Sequence, residues 1–324
     1  MNAAPFISIV IATRDRPAYL LDCLLSITDQ SYAPFEILIV DQSAVRSLER
    51  SIKERFPDDA RIQYFHLDKG GLSDARNLGV AKATGEVVAF IDDDAIAWPA
   101  WLEGIAEAFT HPLGPALVGG RIKPLWPMER PEWLPSEREF LFGLYDIGDE
   151  LRPMPDHDLP VGANMAGLRN VILDAGGFDR RFGFDTSRKQ RQMLAGEDSL
   201  LAERIKRLGH PLCYQPKATV EHRISRKKVT RLYYLRRHFW EGVTTIERMA
   251  IMRQVSAERW KHNKFHLKAA GMALARWALP GFENRYPRYK RCEIRMLAAA
   301  RFTYHCGVIY GLAGLKLDDA IEFS

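Results

Sequence analysis

No run of the 324-residue chain supplies the roughly 18 to 20 continuous apolar residues that a membrane-spanning helix needs. A basic leader is missing as well, and MNAAPFISIVIATRDRP reads as a first strand, not a signal peptide. Cysteine is scarce: Cys23, Cys213, Cys292 and Cys306 include no CxxC pair, and their spacing does not suggest a zinc site. Cys23 falls in an apolar helical pattern and reads as a buried thiol in a reducing compartment. The glycine fingerprint GxGxxG is absent after the first strand, where TRDRP stands instead, and there is no Walker A motif. Those two absences count against nicotinamide-dependent dehydrogenases and P-loop kinases. Internal repeats and low-complexity tracts are lacking too.

What remains is 47% hydrophobic and 27% charged residues, enough for one large domain or two closely joined ones. The formal charge of +5 hides an asymmetry. Residues 1–222 carry 25 basic and 33 acidic side chains, whereas 223–301 carry 20 basic and 5 acidic. An acidic body is followed by a basic C-terminal region, and the average describes neither.

Over the first 120 residues two hydrophobic periods alternate. Strands are expected at Phe6–Ala12, Phe35–Val40, Ile62–Phe65, Glu86–Ile91 and Ala116–Val118. Helices are expected from Pro17 and over Ser43–Phe56, Ser73–Ala83 and Trp98–Phe109. That order predicts an α/β fold with a mostly parallel sheet flanked by helices. Thr13–Arg16, Asp41–Ser43 and Asp92–Asp94 fall at strand ends, where such sheets place their ligands. Prolines break up Lys123–Leu159, read as loops with short elements, and Gly162–Gly167 is marked only by small residues. Helices follow at Asn170–Ala175 and Asp198–Leu208, then a strand at Ala218–Glu221. From about Thr230 the chain reads as mostly helical to Leu315.

Asp92, Asp93 and Asp94 would be costly to bury together without a counter-charge. A divalent cation resolves the repulsion, and oxygen ligands favour Mg²⁺ or Mn²⁺; a solvated acidic turn is the other reading. Asp92 and Asp94 can share a direction while Asp93 points elsewhere. Such a metal suits a departing diphosphate. Asp41 is either an acceptor for a base or ribose or a turn carboxylate. Arg76 pairs with Asp74, Asp41 or a ligand phosphate. Glu197 and Asp198 open a helix, either as dipole-complementary caps or as a proton acceptor with its support. His222 is a metal ligand, a phosphate contact or a structural histidine.

Together these segments resemble the inverting nucleotide-sugar glycosyltransferases of the large family 2, which have a GT-A fold. SIVIATRDRP (Ser8–Pro17), EILIVDQS (Glu36–Ser43), GLSDARNLGVAKATGEVVAFIDDDA (Gly71–Ala95), GANMAGLRNVILDAGGFDRRFG (Gly162–Gly183) and GEDSLLAER (Gly196–Arg204) carry the resemblance, which spans about Phe6–Gly242. It implies a nucleotide-sugar half over 1–120, an acceptor and catalytic-base half over 121–242, and a basic helical region over 243–324. Thr13, Asp41 and Arg76 would border the nucleotide. Asp92 and Asp94 would be the DxD pair, with Asp93 sharing either role and His222 near the metal. Asp198 would be the general base, supported by Glu197. The implied reaction is metal-assisted displacement, with Mn²⁺ or Mg²⁺, from a nucleoside-diphosphate sugar, UDP first among the nucleotides, to a hydroxyl of a glycan or lipid-linked acceptor.

RRHFWEG at Arg236–Gly242 is not the QxxRW-like segment of processive synthases, so single additions are expected. Basic residues after His222, the Phe265–Leu279 segment and the uncharged run Phe302–Leu315 suggest either peripheral contact with an anionic membrane, at the cytoplasmic face of an inner membrane, or ordinary packing. Two other classes compete with this one. A sugar-phosphate nucleotidyltransferase should have a Gly-rich basic loop where Thr13–Arg16 stands. A nucleic-acid binder would leave the acidic cluster without a purpose. No nucleic-acid partner is expected, and nothing in the sequence sets the oligomeric state.

Overall fold

The computed structural model describes residues 4–183, 194–252, 259–278 and 291–312. Among these, 4–125, 143–183 and 197–223 form one compact unit, and 126–142, 194–196 and the residues from 224 onward form a second. The division between the two falls at Arg223/Ile224, and part of the proline-rich stretch belongs to the second unit.

The first unit is a nine-stranded sheet with helices. Its strands are β1 (Ile7–Thr13), β2 (Phe35–Asp41), β3 (Ile62–His66), β4 (Val87–Ile91), β5 (Ala95–Ala97), β6 (Leu117–Leu125), β7 (Arg152–Pro153), β8 (Asn164–Leu168) and β9 (Leu212–Arg223). Its helices are α1 (Pro17–Thr28), α2 (Leu48–Arg55), α3 (Leu72–Lys82), α4 (Trp101–Thr110), α5 (Arg169–Asp174) and α6 (Glu197–Arg207). The strand order is β3-β2-β1-β4-β8-β6-β9-β5, with β7 against β9. β1 to β4 are parallel, β8 is antiparallel to both β4 and β6, and β9 is parallel to β6. Six strands therefore share one direction, and β1, β2, β4 and β9 deliver Thr13, Asp41, Asp92 and His222 to the same edge.

β1, β2 and β4 are runs of β-branched and aliphatic residues because they are covered on both faces. Val10, Phe90, Met165, Ile172, Leu201 and Tyr214 belong to the core on one side. Pro17 opens α1, where its fixed φ and missing N–H cost nothing. Several elements depart from the sequence reading. α2 begins only at Leu48, and β6 and β9 extend well beyond the short strands expected. β8 was not expected as a strand at all, since Asn-Met-Ala-Gly-Leu has little strand propensity. Its place is held by tertiary partners: Asn164 accepts from Trp101 Nε1 (2.8 Å) and donates to the carbonyls of Arg121 (2.9 Å) and Ala218 (2.7 Å).

The second unit contains α7 (Arg231–Ile251), α8 (Arg259–Ala278) and α9 (Arg291–Leu312). Thr230 caps α7 by accepting from the Tyr233 amide. Gly242 and Gly307 stand where α7 and α9 approach backbone to backbone: a Cβ on Gly242 would lie 2.2 Å from the Tyr304 carbonyl. Ile246, Val308 and Leu312 fill the seam. The described part of the uncharged Phe302–Leu315 run is thus helix packed on helix, and residues 313–315 lie outside the described residues. No helix among the described residues is long and apolar enough to cross a membrane.

Candidate active site

Five carboxylates converge at the carboxyl edge of the sheet. Asp92, Asp93 and Asp94 follow β4, and Glu197 and Asp198 stand in the first turn of α6. Two arginines answer them in different ways. Arg76, on α3, is 3% exposed and is held by Glu197 Oε1 (2.8 Å), Asp92 Oδ1 (3.0 Å) and the Gly162 carbonyl (3.1 Å), with its guanidinium over the Phe178 ring. Neither Asp74 nor Asp41 is its partner; Asp74 instead accepts from the Gly71 amide at the start of α3. Arg16 is half-exposed, and its Nη1 alone reaches both Asp93 Oδ1 and Asp94 Oδ2, each at 3.1 Å.

Gly162 joins the two acidic clusters. Its carbonyl accepts from Arg76, and its amide donates to Asp198 Oδ2 at 2.7 Å. A Cβ at this position would lie 2.7 Å from the guanidinium, so only glycine lets Arg76 sit here. The other Asp198 oxygen accepts from the Ser199 amide (2.7 Å). Asp198 is therefore oriented by two backbone amides at a helix N-terminus, which favours a negative charge. Glu197 is buried beside it. Burial and the Asp198 charge push the Glu197 carboxyl up, against the pull of Arg76.

Asp93 turns to Thr13, whose hydroxyl donates to Oδ2 at 2.7 Å. Burial and the Asp94 charge raise its carboxyl to about 6, with Arg16 and Thr13 opposing. The cation-sized group is a different set. Ligand atoms of Asp92, Asp94 and His222 all lie within 4.8 Å of one another. His222 Nε2 is 3.2 Å from Asp94 Oδ1, while its buried Nδ1 has no hydrogen-bond partner among the described residues. Two carboxylates and an imidazole suit Mn²⁺ or Mg²⁺, so the residues present fit a divalent cation.

Asp41 ends β2 next to Thr13, its register partner on β1. It is fully buried and accepts from the Tyr64 hydroxyl (2.6 Å) and the Ser43 amide (2.8 Å). Burial and the Asp41 carboxylate push the Tyr64 phenol far above its usual range, which keeps it a donor. Asp15 holds a left-handed backbone (φ 53°) between Thr13 and Arg16, and its amide donates to Ser43 Oγ. Cys23, beneath this edge, is completely buried, and burial raises its thiol.

The glycosyl transferase family 2 model matches residues 8–172, half of the chain, and spans every strand end just described except those of β9 and the α6 start. The chain belongs to glycosyl transferase family 2. This family 2 glycosyltransferase is 28% identical over 242 residues to the glucosyl-dolichyl phosphate glucuronosyltransferase of Haloferax volcanii, covering 73% of this chain and 75% of that one. It is 25% identical over 321 residues to the succinoglycan biosynthesis protein ExoM of Rhizobium meliloti, covering 97% and 95%. In fold it resembles the mannosyltransferase PcManGT of Pyrobaculum calidifontis, solved with GDP-Man and Mn²⁺, at TM-score 0.63 and 17% identity over 97% of this chain and 89% of that one. The expected GT-A, Rossmann-like architecture with a helical C-terminal extension is therefore the one present.

Three residues of the family 2 site escaped the sequence reading: Arg16, Gly162 and Tyr64. Arg16 falls in the Thr13–Arg16 strand end that the sequence marks, but nothing local singles out its charge from the rest of that segment. Gly162 passed as one small residue among several. Tyr64 lay inside a strand, with no local sign that it faces Asp41.

Proposed function

We propose that the protein is an inverting glycosyltransferase that moves a sugar from a nucleoside-diphosphate sugar, with UDP as the nucleotide, to a hydroxyl of a glycan or lipid-linked acceptor. One observation carries the reading: a cation-sized Asp92–Asp94–His222 group and an amide-oriented Asp198 are tied into one network through Arg76 and Gly162. Thr13 and Asp41 border the nucleotide at adjacent strand ends, where Tyr64 and Ser43 fix the Asp41 carboxylate. Arg76 is the organiser of the site. Its buried guanidinium fixes Asp92 on one side and Glu197 on the other.

A divalent cation on Asp92, Asp94 and His222 would place positive charge where the diphosphate leaves. Asp198 takes the proton of the acceptor hydroxyl as the acceptor oxygen bonds to the anomeric carbon. The bond from that carbon to the diphosphate oxygen breaks, and its electron pair leaves with the diphosphate. Attack from the opposite face inverts the anomeric centre, and no covalent enzyme intermediate forms. Glu197 keeps the first turn of α6 in place.

A panel of UDP-, dTDP- and GDP-sugars with Mn²⁺ or Mg²⁺, read by nucleotide release and by the anomeric configuration of the product, tests this. Cation-dependent release with an inverted product is expected. A retained configuration overturns the mechanism, and no donor turnover with any nucleotide overturns the donor class. A peripheral anionic membrane is the second partner in this reading. It is supported by α8, where Phe265, Leu267, Met272 and Leu274 are all exposed beside Lys268 and Arg276, and only Ala270 and Ala273 are buried among its described side chains.

A further inference from the structure

The two arginines at the acidic edge differ in how firmly they are held. Arg76 is buried and engaged by two carboxylates, a carbonyl and a ring. Arg16 has 48% of its side chain exposed and meets the cluster through a single nitrogen. Its backbone is fixed: Asp15 before it is pinned to Ser43, Pro17 after it opens α1, and its own carbonyl accepts from the Leu20 amide. The side chain can therefore swing while its root stays at the edge of the site.

Arg16 Nη1 occupies one oxygen of Asp94, the carboxylate whose other oxygen faces His222. Asp94 also belongs to the group able to hold a divalent cation. A guanidinium and a divalent cation drawn to one carboxylate repel each other and compete for the same negative charge. The geometry points to Arg16 as a releasable counter-cation: it holds Asp93 and Asp94 together when no metal is bound, is displaced from Asp94 by the metal, and then turns to the anionic diphosphate of the donor. The last step rests on the nucleotide-sugar reading of the site, whereas the competition with metal does not. Arg16 is a positioning residue in the first state and a donor contact in the second. Metal and donor would then bind in a preferred order, because the metal frees the group that the donor uses.

Mn²⁺ titration of the full chain without nucleotide, followed by the loss of the free-ion electron paramagnetic resonance signal, tests the competition. Removing a half-exposed ion-pair partner should tighten Mn²⁺ binding by about fivefold in Arg16→Ala and in Arg16→Gln. Arg16→Lys, which keeps the charge, should stay near the parent protein. Arg16→Gln retains polarity and reach, so it separates charge from packing, and thermal melts of each variant report the fold. With Mn²⁺ saturating, UDP titrated calorimetrically should bind the Ala and Gln variants about fivefold more weakly.

Tighter metal with weaker nucleotide is a crossed pattern that a merely structural arginine would not give, since loosening the carboxylates weakens both. Unchanged or weaker Mn²⁺ binding in Arg16→Ala and Arg16→Gln overturns the competition while leaving the metal reading intact. Absence of Mn²⁺ binding in the parent and in the variants overturns both. Tighter Mn²⁺ with unchanged UDP binding overturns the handover to the donor and retains the competition.

Discussion

Asp198 illustrates how a single residue gains a role from its neighbours. A carboxylate in the first turn of a helix is an ordinary cap, and α6 alone would support no more. What separates it from a cap is the amide of Gly162, contributed from 36 residues away and bonded to Arg76 on its other side. Asp198→Asn keeps the size, but it offers one acceptor oxygen to the two amides where the carboxylate offers two, and it cannot take a proton. It should bind donor as the parent does and lose about 10² to 10⁴ in turnover, measured by nucleotide release with acceptor present. Normal turnover would remove the base assignment. Gly162→Ala tests the link itself. The added methyl meets the guanidinium, so Arg76 must move and carry Asp92 and Glu197 with it. A displacement near 1 Å can cost about 100-fold in turnover, and an Ala variant within threefold of the parent would show that the link is not needed. The acids and His222 were legible in the sequence because charge at a strand end is conspicuous. Gly162 and Arg16 were not, because their importance lies in partners distant along the chain.

At the scale of elements, legibility followed cover. β1, β2 and β4 are buried on both faces and so carry continuous apolar runs that periodicity detects. β8 carries no such run, and it forms because β4 and β6 already present unpaired edges and Asn164 satisfies backbone carbonyls on two further segments. Glu36 does similar work at the other end of the sheet. It starts β2 and accepts from Ser8 on β1, from Gln63 on β3, and from the Thr84 amide and hydroxyl ahead of β4. Burial would raise its carboxyl, but these four donors outweigh burial and leave it below its ordinary value. A depressed folded-state value means that the stabilisation is present above the unfolded value and is lost as pH falls through the folded one. Glu36→Gln should therefore cost about 1.5 to 3 kcal/mol near neutral pH. The gap to the parent should start to narrow below the ordinary glutamate value of about 4.3 and close as pH falls through the lowered folded one. Denaturant melts at pH 7 and pH 3 check it, and an equal gap at both would mean that charge on Glu36 does not matter.

For the whole molecule, the separation of charge along the chain sets the terms of any surface contact. The acidic excess of residues 1–222 surrounds a site that needs a cation, and the basic excess of 223–301 includes α8, a helix with five Lys and Arg and no acid. Leu267, Gly271, Leu274 and Ala278 recur along one exposed strip of α8, and Phe265 and Met272 along a second, about 140° round the helix, with Lys268 between them. A helix with apolar residues on its outward strips and basic residues among them suits the boundary between headgroups and acyl chains better than water. Two forces then act together, and salt separates them. Charge attraction to anionic lipid is worth about 1 kcal/mol per basic residue near the surface. It fades as the screening length falls from about 10 Å at 0.1 M to about 3 Å at 1 M salt. Apolar burial does not fade. The full chain should float with vesicles rich in phosphatidylserine at low salt and be partly released at 1 M. A Phe265→Glu, Leu274→Glu double variant should lose the salt-resistant fraction while its nucleotide release with a soluble acceptor is unchanged. Binding that vanishes entirely at high salt would make α8 an electrostatic contact only, and failure to float with anionic vesicles at any salt would remove the membrane from the reading.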